Sequence, residues 1–451
     1  MDYKRPLQAS LLDQLSRPVT VIHVIIGPRQ VGKTTIARQI QDAIGIPSIY
    51  ATADSPVPLD AAWIETQWRL AVAEQAASST PVLLILDELQ KVRGWSETLK
   101  LLWDTRTPGA QIRVLILGSS ALLMQAGLSE SLAGRFFLHR CTHWEYQECR
   151  AAFGWSLEQW LFFGGYPGAA AFTGNETEWK RYIADSLIET VLARDVLQMS
   201  KVAKPVLLRH LFALAATLPA QCTSYTKMLG QLHDAGNTTT LANYLKLLEA
   251  AFLVSGLELF SRGVQRKRGS SPKLVLWNNA LVNALSTRSF AESLADTVWW
   301  GRLVENAVGA YLCGNLNSVE HTVTYWREGA HEVDFVVSRG REIWAIEVKS
   351  GRSGKALGLT RFRNRYPEAK ALLIGVQGIP LLEFFSKPGC VAGMTTVGQI
   401  EKKTQTCAVA LFQERSHYNC ALLQMRDGVF QHLLKHRPKR DAAAEDRVLS
   451  V

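Results

Sequence analysis

Apolar residues in this chain follow two rhythms, and chemistry-bearing residues stand where one rhythm gives way to the other. "VIHVII" (Val21 to Ile26) is a β-branched apolar run that predicts a buried strand, and Thr34 to Ile40 after it predicts a helix. A second apolar run, Leu83 to Leu86, and a third, within "IRVLILGSSALL", predict further strands, the last ending at Ser119 and Ser120. From Pro205 to Phe260 the pattern is helical. Ala235, Gly236 and Asn237 predict a turn, and one of the threonines at 238 to 240 is expected to cap the helix after it. Leu241, Tyr244, Leu245 and Leu248 give that helix one buried face, and the order helix, turn, helix, strand predicts a winged helix. Further on, "HEVDFVVS" and "REIWAIEVKS" alternate with period two, as a hairpin joined at Arg339 and Gly340. A helix carrying Arg361, Arg363 and Arg365 follows, then one more strand. Beyond Pro380 no period is sustained, and the ending "KHRPKRDAAAEDRVLSV" is polar enough to predict disorder.

The first change of rhythm holds the pattern GxxxxGK[ST]. It runs from Gly27 through Pro28, Arg29, Gln30, Val31, Gly32 and Lys33 to Thr34, with Thr35 next in the helix. A loop of this kind turns its N–H groups inward around phosphate oxygens, and the helix N-terminus adds its dipole. Gly27 and Gly32 allow the turn and the close backbone approach; Lys33 would reach the β- and γ-phosphates, and the Thr34 hydroxyl would hold Mg²⁺. The strand Leu83 to Leu86 ends in Asp87 and Glu88. Asp87 would then sit beside the Mg²⁺ ion, and Glu88 would polarise the attacking water. ATP and Mg²⁺ are therefore the predicted cofactors.

Composition adds a partner class. The 451 residues leave room for two or three domains, and 47% hydrophobic with 20% charged residues is ordinary for a globular protein. A formal charge of +10 favours an anionic partner, of which nucleic acid is the commonest, without implying sequence reading. In "SRGVQRKRGSSPK", Arg262, Arg266, Lys267, Arg268 and Lys273 stand without an acid, as a flexible basic wing or as a solvated linker. Asn243 and Lys246 are the polar groups that the second helix of the turn motif offers to a groove; a structural or docking role fits that helix as well. "KHRPKR" is either a further phosphate contact or a plain tail. The seven cysteines, at 141, 149, 222, 313, 390, 407 and 420, include no CxxC, which excludes a zinc ribbon or redox dithiol and fits free thiols in a reducing cytoplasm. The start lacks the apolar stretch of a signal peptide, and no apolar run reaches the ~18 residues of a membrane span.

"RPL" (Arg5 to Leu7), "GPRQVGKTT", "LLILDELQ", "GSSALL" and "ESLAGR" resemble the AAA-type ATPase domain of a widespread prokaryotic group. Proteins of that group carry a C-terminal domain of unassigned function. "FFGGYPGA" (Phe162 to Ala169), "LIETVLARDVLQ" (Leu187 to Gln198), "SPKLVLWNNAL" (Ser271 to Leu281) and "GRLVENAV" (Gly301 to Val308) resemble the joints that follow in it. The resemblance covers residues 1 to 380 and departs at the far C-terminus and at "WNNA", where an acidic residue is usual. It implies that Ser119 or Ser120 senses the γ-phosphate, the alternative being a helix cap. Arg135 is a candidate to neutralise γ-phosphate charge, in cis or across a subunit interface of a homo-oligomer; it could equally anchor a carboxylate.

Glu305 lies on the "ENAV" helix ahead of the hairpin, Asp334 on the first strand, and Glu347 and Lys349 on one face of the second. The order α-β-β-β-α-β with D…ExK on the hairpin resembles the PD-(D/E)xK, restriction-endonuclease-like fold. By that resemblance Glu305, Asp334 and Glu347 would hold Mg²⁺, and Lys349 would orient the attacking water. The expected fold is α/β throughout: an AAA+-type P-loop ATPase domain (1–150), a helical linker and winged-helix module (151–270), a nuclease-like domain (271–385) and a weakly patterned extension (386–451). Two functions follow. One is an ATP-hydrolysing protein acting on nucleic acid, DNA before RNA, through a nuclease-like domain. The other is a nucleotide-switched binding or regulatory protein whose nuclease-like domain does not cut.

Overall fold

Parallel strands covered on both faces have no solvent side, so they read as unbroken apolar runs. That rule organises the first part of the chain, where the elements are α1 (Pro6–Ser16), β1 (Ile22–Ile26), α2 (Lys33–Ala43), β2 (Ser48–Thr52), α3 (Ala61–Ser78), β3 (Val82–Asp87), α4 (Trp95–Asp104), β4 (Ile112–Gly118) and β5 (Phe136–Arg140). The computed structural model describes residues 3–119, 128, 131–196, 202–232, 236–262, 270–351 and 357–386. The expectations for Ser120, Ala235, the basic residues Arg266, Lys267 and Arg268, Cys390, Cys407, Cys420 and the disordered ending lie outside the described residues. Every residue of β1 and β3 is buried. The sheet is parallel, in the order β2-β3-β4-β1-β5, so β4 separates the strand leading into the phosphate loop from the strand that ends in Asp87.

A helical region follows, with α5 (Tyr146–Phe153), α6 (Leu157–Phe163) and α7 (Glu176–Arg181). Reciprocal capping boxes start α5, through Glu145 and Glu148, and α6, through Ser156 and Gln159. The chain continues from α7 in wider, π-type turns over Tyr182–Ile188 and Val191–Val196. Such turns are rare and cluster at functional positions.

Next come α8 (Pro205–Thr217), β6 (Gln221–Cys222), α9 (Tyr225–Gln231), α10 (Thr238–Ala250), β7 (Val254–Leu257) and β8 (Lys273–Leu276). The cap of α10 is Asn237, whose side chain accepts from Thr240 N at 2.8 Å, rather than a threonine. Leu241, Tyr244, Leu245 and Leu248 are its buried face, and Asn243 and Lys246 are exposed. The three strands form an antiparallel sheet in the order β6-β8-β7. Its middle strand is therefore β8, and the boundary expected at 270/271 cuts through a sheet. The reason is pairing: Lys273 lies opposite both Cys222 and Leu257.

The last described elements are α11 (Asn279–Asn283), α12 (Phe290–Ala295), α13 (Thr297–Asn315), β9 (Thr322–Glu328), β10 (His331–Arg339), β11 (Glu342–Lys349), α14 (Leu357–Arg365), β12 (Lys370–Gly375) and α15 (Leu381–Ser386). The sheet order is β12-β11-β10-β9, with β11 and β12 parallel and the other pairs antiparallel. The turn between β10 and β11 falls on Gly340 and Arg341, one residue later than expected. Against β9 the register of β10 shifts between Val333 and Val336, a bulge at Asp334 and Phe335. Met1 to Pro388 forms one compact unit. Within it the fully buried Asn306 of α13 bonds both N–H and C=O of Leu276 in β8, each at 2.9 Å, and the Asn279 side chain at 2.8 Å.

Candidate functional sites: a phosphate loop and a carboxylate cluster

Gly27 leaves β1 in contact with the end of β5: an added Cβ would stand 1.9 Å from the Cys141 carbonyl oxygen. Gly32 serves differently, with φ of 94° just before α2. The loop between them is held from outside. The Val31 carbonyl accepts from Arg5 Nη1 at 3.1 Å and from Trp144 Nε1 at 2.9 Å, and Arg5 is itself fixed by Glu148 at 2.6 and 2.8 Å. Lys33 is buried, its Nζ donating to the carbonyls of Gly27 and Pro28 at 2.9 and 2.6 Å. Burial pushes its pKa down, while Cys141, Glu88 and Asp87 pull the other way.

Thr34 and Asp87 meet: the Thr34 hydroxyl donates to Asp87 Oδ2 at 2.9 Å, and Tyr50 Oη donates to the same oxygen at 2.6 Å. Ser119 Oγ donates to Glu88 Oε2 at 3.0 Å, and Gln90 Nε2 donates to that oxygen at 2.6 Å. Gln30 and Glu88 both adopt left-handed backbone, with φ of 57° and 55°. Non-glycine residues in that region cost ~1–3 kcal/mol each and gather at functional sites. A cavity of about 620 Å³ opens over Lys33, Thr34, Glu88 and Ser119, and its far wall comes from Gly168, Ser186 and Thr190 beyond the sheet domain. Tyr182 Oη, on the π-type turns, donates to the Gln30 side chain.

Arg135 is not part of this group. Its guanidinium forms a bidentate pair with Asp104 at 2.7 and 2.9 Å, and its carbonyl accepts from Ile22 N. Phe136 pairs with Ile22 at the far end of β1 from Gly27, so Arg135 lies about six strand residues, ~20 Å, from its own phosphate loop. The in-cis role is thereby corrected to the carboxylate-anchoring alternative.

The second site gathers side chains from four elements. Phe335 pairs with Ile346, which brings Asp334 beside Glu347 across the hairpin. Asp334 Oδ2 accepts from Val348 N at 2.7 Å. Glu347 Oε1 meets Lys349 Nζ at 2.6 Å, and its buried Oε2 has no hydrogen-bond partner among the described residues. Burial, then Asp334, raises the Glu347 pKa. Carboxylate oxygens of Glu305 (α13), Glu332 and Asp334 (β10) lie within 4.8 Å of one another, a grouping that could hold a cation. Glu332 was missed as a ligand, although it stands two residues before Asp334 on the same strand.

Lys273 overturns its own expectation. It is not on a flexible basic wing; it is fully buried, with Nζ at 2.6 Å from Glu305, 3.1 Å from Glu332 and 3.7 Å from Asp334. Burial works against its charge, but Glu305, Asp334 and Glu332 outweigh it and raise its pKa. Burial and Asp334 push Glu305 up to about 7, against the pull of Lys273. Arg262 of the same stretch is paired with Glu368. On α14, Arg361, Arg363 and Arg365 are exposed as expected, yet Arg361 and Arg365 both engage Glu328. The basic wing and the basic helix are thus partly neutralised by the chain's own acids.

Three regions match described families. Residues 20–149 match an AAA domain, residues 154–292 a domain of unknown function (DUF8612), and residues 300–378 a second domain of unknown function (DUF4143). No curated protein matches the chain. Among solved structures, the Walker-type ATPase PABY2304 of Pyrococcus abyssi is 14% identical, with 63% of this chain and 95% of that chain covered at a TM-score of 0.39, an overlap on which nothing further rests. The chain therefore carries an N-terminal AAA+-type P-loop ATPase domain, of the class that binds and hydrolyses ATP with Mg²⁺. A mixed α/β region of two families without assigned function follows it. Among the described residues, no helix is long and apolar enough to cross a membrane.

Proposed function

We propose that this protein hydrolyses ATP and acts on nucleic acid, DNA before RNA, through a restriction-endonuclease-like domain with metal-dependent phosphodiester chemistry. In the ATPase domain, Lys33 and the loop from Gly27 to Thr35 bind the phosphates. Thr34 and Asp87, already 2.9 Å apart, hold the Mg²⁺ of the nucleotide. Glu88, fixed by Ser119 and Gln90, orients the attacking water. The far wall of the cavity and the Tyr182–Gln30 bond give the nucleotide a path to the segments after the sheet domain.

The observation that carries the nuclease reading is Glu347. Its Oε2 is buried beside Asp334 and unpartnered among the described residues, and Lys349 stands at 2.6 Å on the other oxygen. Asp334 and Glu347 would hold a divalent ion, whose chemistry there would be to polarise the scissile phosphate and lower the pKa of a bound water. Lys349 orients that water and offsets the developing charge. The cysteines at 141, 149, 222 and 313 are free thiols, which supports a cytoplasmic setting.

One observation favours a second reading, a nucleotide-switched binding protein that does not cut. The Lys273 ammonium already stands among Glu305, Glu332 and Asp334 and contacts all three, where a cation would sit. Binding and cleavage of DNA and RNA with Mg²⁺ or Mn²⁺, with and without ATP, separate the two. Lys33→Ala should lower ATP turnover ~10²–10⁴-fold, for the loss of two charge-assisted phosphate contacts. Lys349→Ala should abolish cleavage and spare the ATPase. ATP turnover unchanged in Lys33→Ala would sink the phosphate-site assignment. Salt-sensitive binding with no cleavage on any substrate would leave the second reading, and binding indifferent to salt would remove nucleic acid altogether.

A further inference from the structure

Lys273 stands where a cation would. Oxygens from Glu305, Glu332 and Asp334 converge within 4.8 Å, the spacing of ligands around one hard cation, and the ammonium contacts all three residues. It cannot swing out to water. The side chain is fully buried, its Nζ lies 5.0 Å from the centre of the Phe335 ring, and its backbone is paired on both sides, with Cys222 and with Leu257. A divalent ion in the same space would stand within a few ångströms of a positive charge, with little water between to screen it.

Beside this group lies a second pair of carboxylates in a different condition. Asp334 borders both, and Glu347 keeps a buried oxygen with no hydrogen-bond partner among the described residues. Four carboxylates (Glu305, Glu332, Asp334, Glu347) face two ammoniums (Lys273, Lys349), so the acids outnumber the bases by two.

We infer that Lys273 is a tethered replacement for one divalent ion, so that the pocket takes at most one, between Asp334 and Glu347, and gains another among Glu305, Glu332 and Asp334 when Lys273 is removed. The inference rests on the cation-binding reading of Glu347 and Asp334 only for the ion of the unaltered pocket; the ion gained on removing Lys273 is independent of it.

The test counts ions. Mn²⁺ bound per chain is measured by electron paramagnetic resonance on the full chain without nucleotide, in a Thr34→Ala background that keeps the phosphate loop out of the count. Lys273→Gln and Lys273→Met should each bind one Mn²⁺ more than the parent, and Lys273→Arg should bind the same as the parent. Glu347→Gln should remove the parent's ion and leave the gained one. Melting temperature with and without Mn²⁺ is a second readout for variants that fold poorly: the ion should stabilise Lys273→Gln more than the parent. No ion in the parent and one in Lys273→Gln upholds the lysine's role and sinks the metal-dependent reading of Glu347. Two ions in the parent pocket, or equal counts and equal Mn²⁺ stabilisation in parent and Lys273→Gln, overturn the inference.

Discussion

Gly27→Ala separates two reasons for a glycine in the phosphate loop. A Cβ at position 27 would lie 1.9 Å from the Cys141 carbonyl oxygen and 2.9 Å from its carbon. Close carbon–oxygen contacts begin at about 3.3 Å, so the backbone after β5 must retreat by more than an ångström. The obstacle is main chain, which no rotamer change relieves, and the Cys141 N–H bond to Ile26 O at 2.8 Å lies next to it. Overpacking costs ~1–3 kcal/mol and the lost hydrogen bond ~1 kcal/mol, about 2–4 kcal/mol together. At Gly32 no atom comes nearer than 4.0 Å to an added Cβ, so Gly32→Ala carries only left-handed strain of ~1–2 kcal/mol. Urea unfolding followed by tryptophan fluorescence, with titration of a fluorescent ATP analogue, reads both variants. Gly27→Ala should show the lower urea midpoint of the two and bind the analogue at least ~10-fold more weakly than the unaltered protein, the equivalent of ~1.4 kcal/mol. An unaltered midpoint and unaltered affinity in Gly27→Ala would refute the close-approach account.

Asn306→Leu strips the N–H and C=O of Leu276 of a buried partner, at ~1–3 kcal/mol for each group, and should lower the urea midpoint more than a surface substitution such as Asn243→Ala. His143, buried against Tyr166, has its pKa lowered from 6.5 to about 3 by burial, then Arg5 and Lys33. Its folded pKa lies below the unfolded one, so its contribution is present above pH 6.5 and is lost as pH falls towards 3. Between pH 6.5 and 4.5 the loss is ~3 kcal/mol at 1.36 kcal/mol per unit, and His143→Gln should be correspondingly less acid-sensitive in melts taken across that range.

The phosphate loop was legible in the sequence because its chemistry is local: strand, glycine turn and helix N-terminus are consecutive, and Asp87 ends an apolar run that can only be a buried strand. The hairpin was legible for the same reason, since alternation alone puts Glu347 and Lys349 on one face. Lys273 was not. Its neighbours Ser270, Ser271 and Pro272 announce a loop, whereas its burial is decided by α13 and β10, which local periodicity cannot see. Arg5 and Trp144 were invisible as loop clamps for a related reason, because their shared acceptor is a backbone carbonyl, which no residue type advertises. The choice among the roles open to Arg135 was not legible, because strand pairing, rather than sequence order, decides which end of β5 faces the nucleotide.

The strand carrying Lys273 lies in the region matching one family, residues 154–292, and the acids it contacts lie in the region matching another, residues 300–378. Exchange of the region carrying the acids would strand a fully buried ammonium, a penalty of ~3–5 kcal/mol, and exchange of the other would leave three half-buried acids without their cation. Charge therefore couples the two regions in stability: any change at residue 273 alters the balance at 305, 332 and 334.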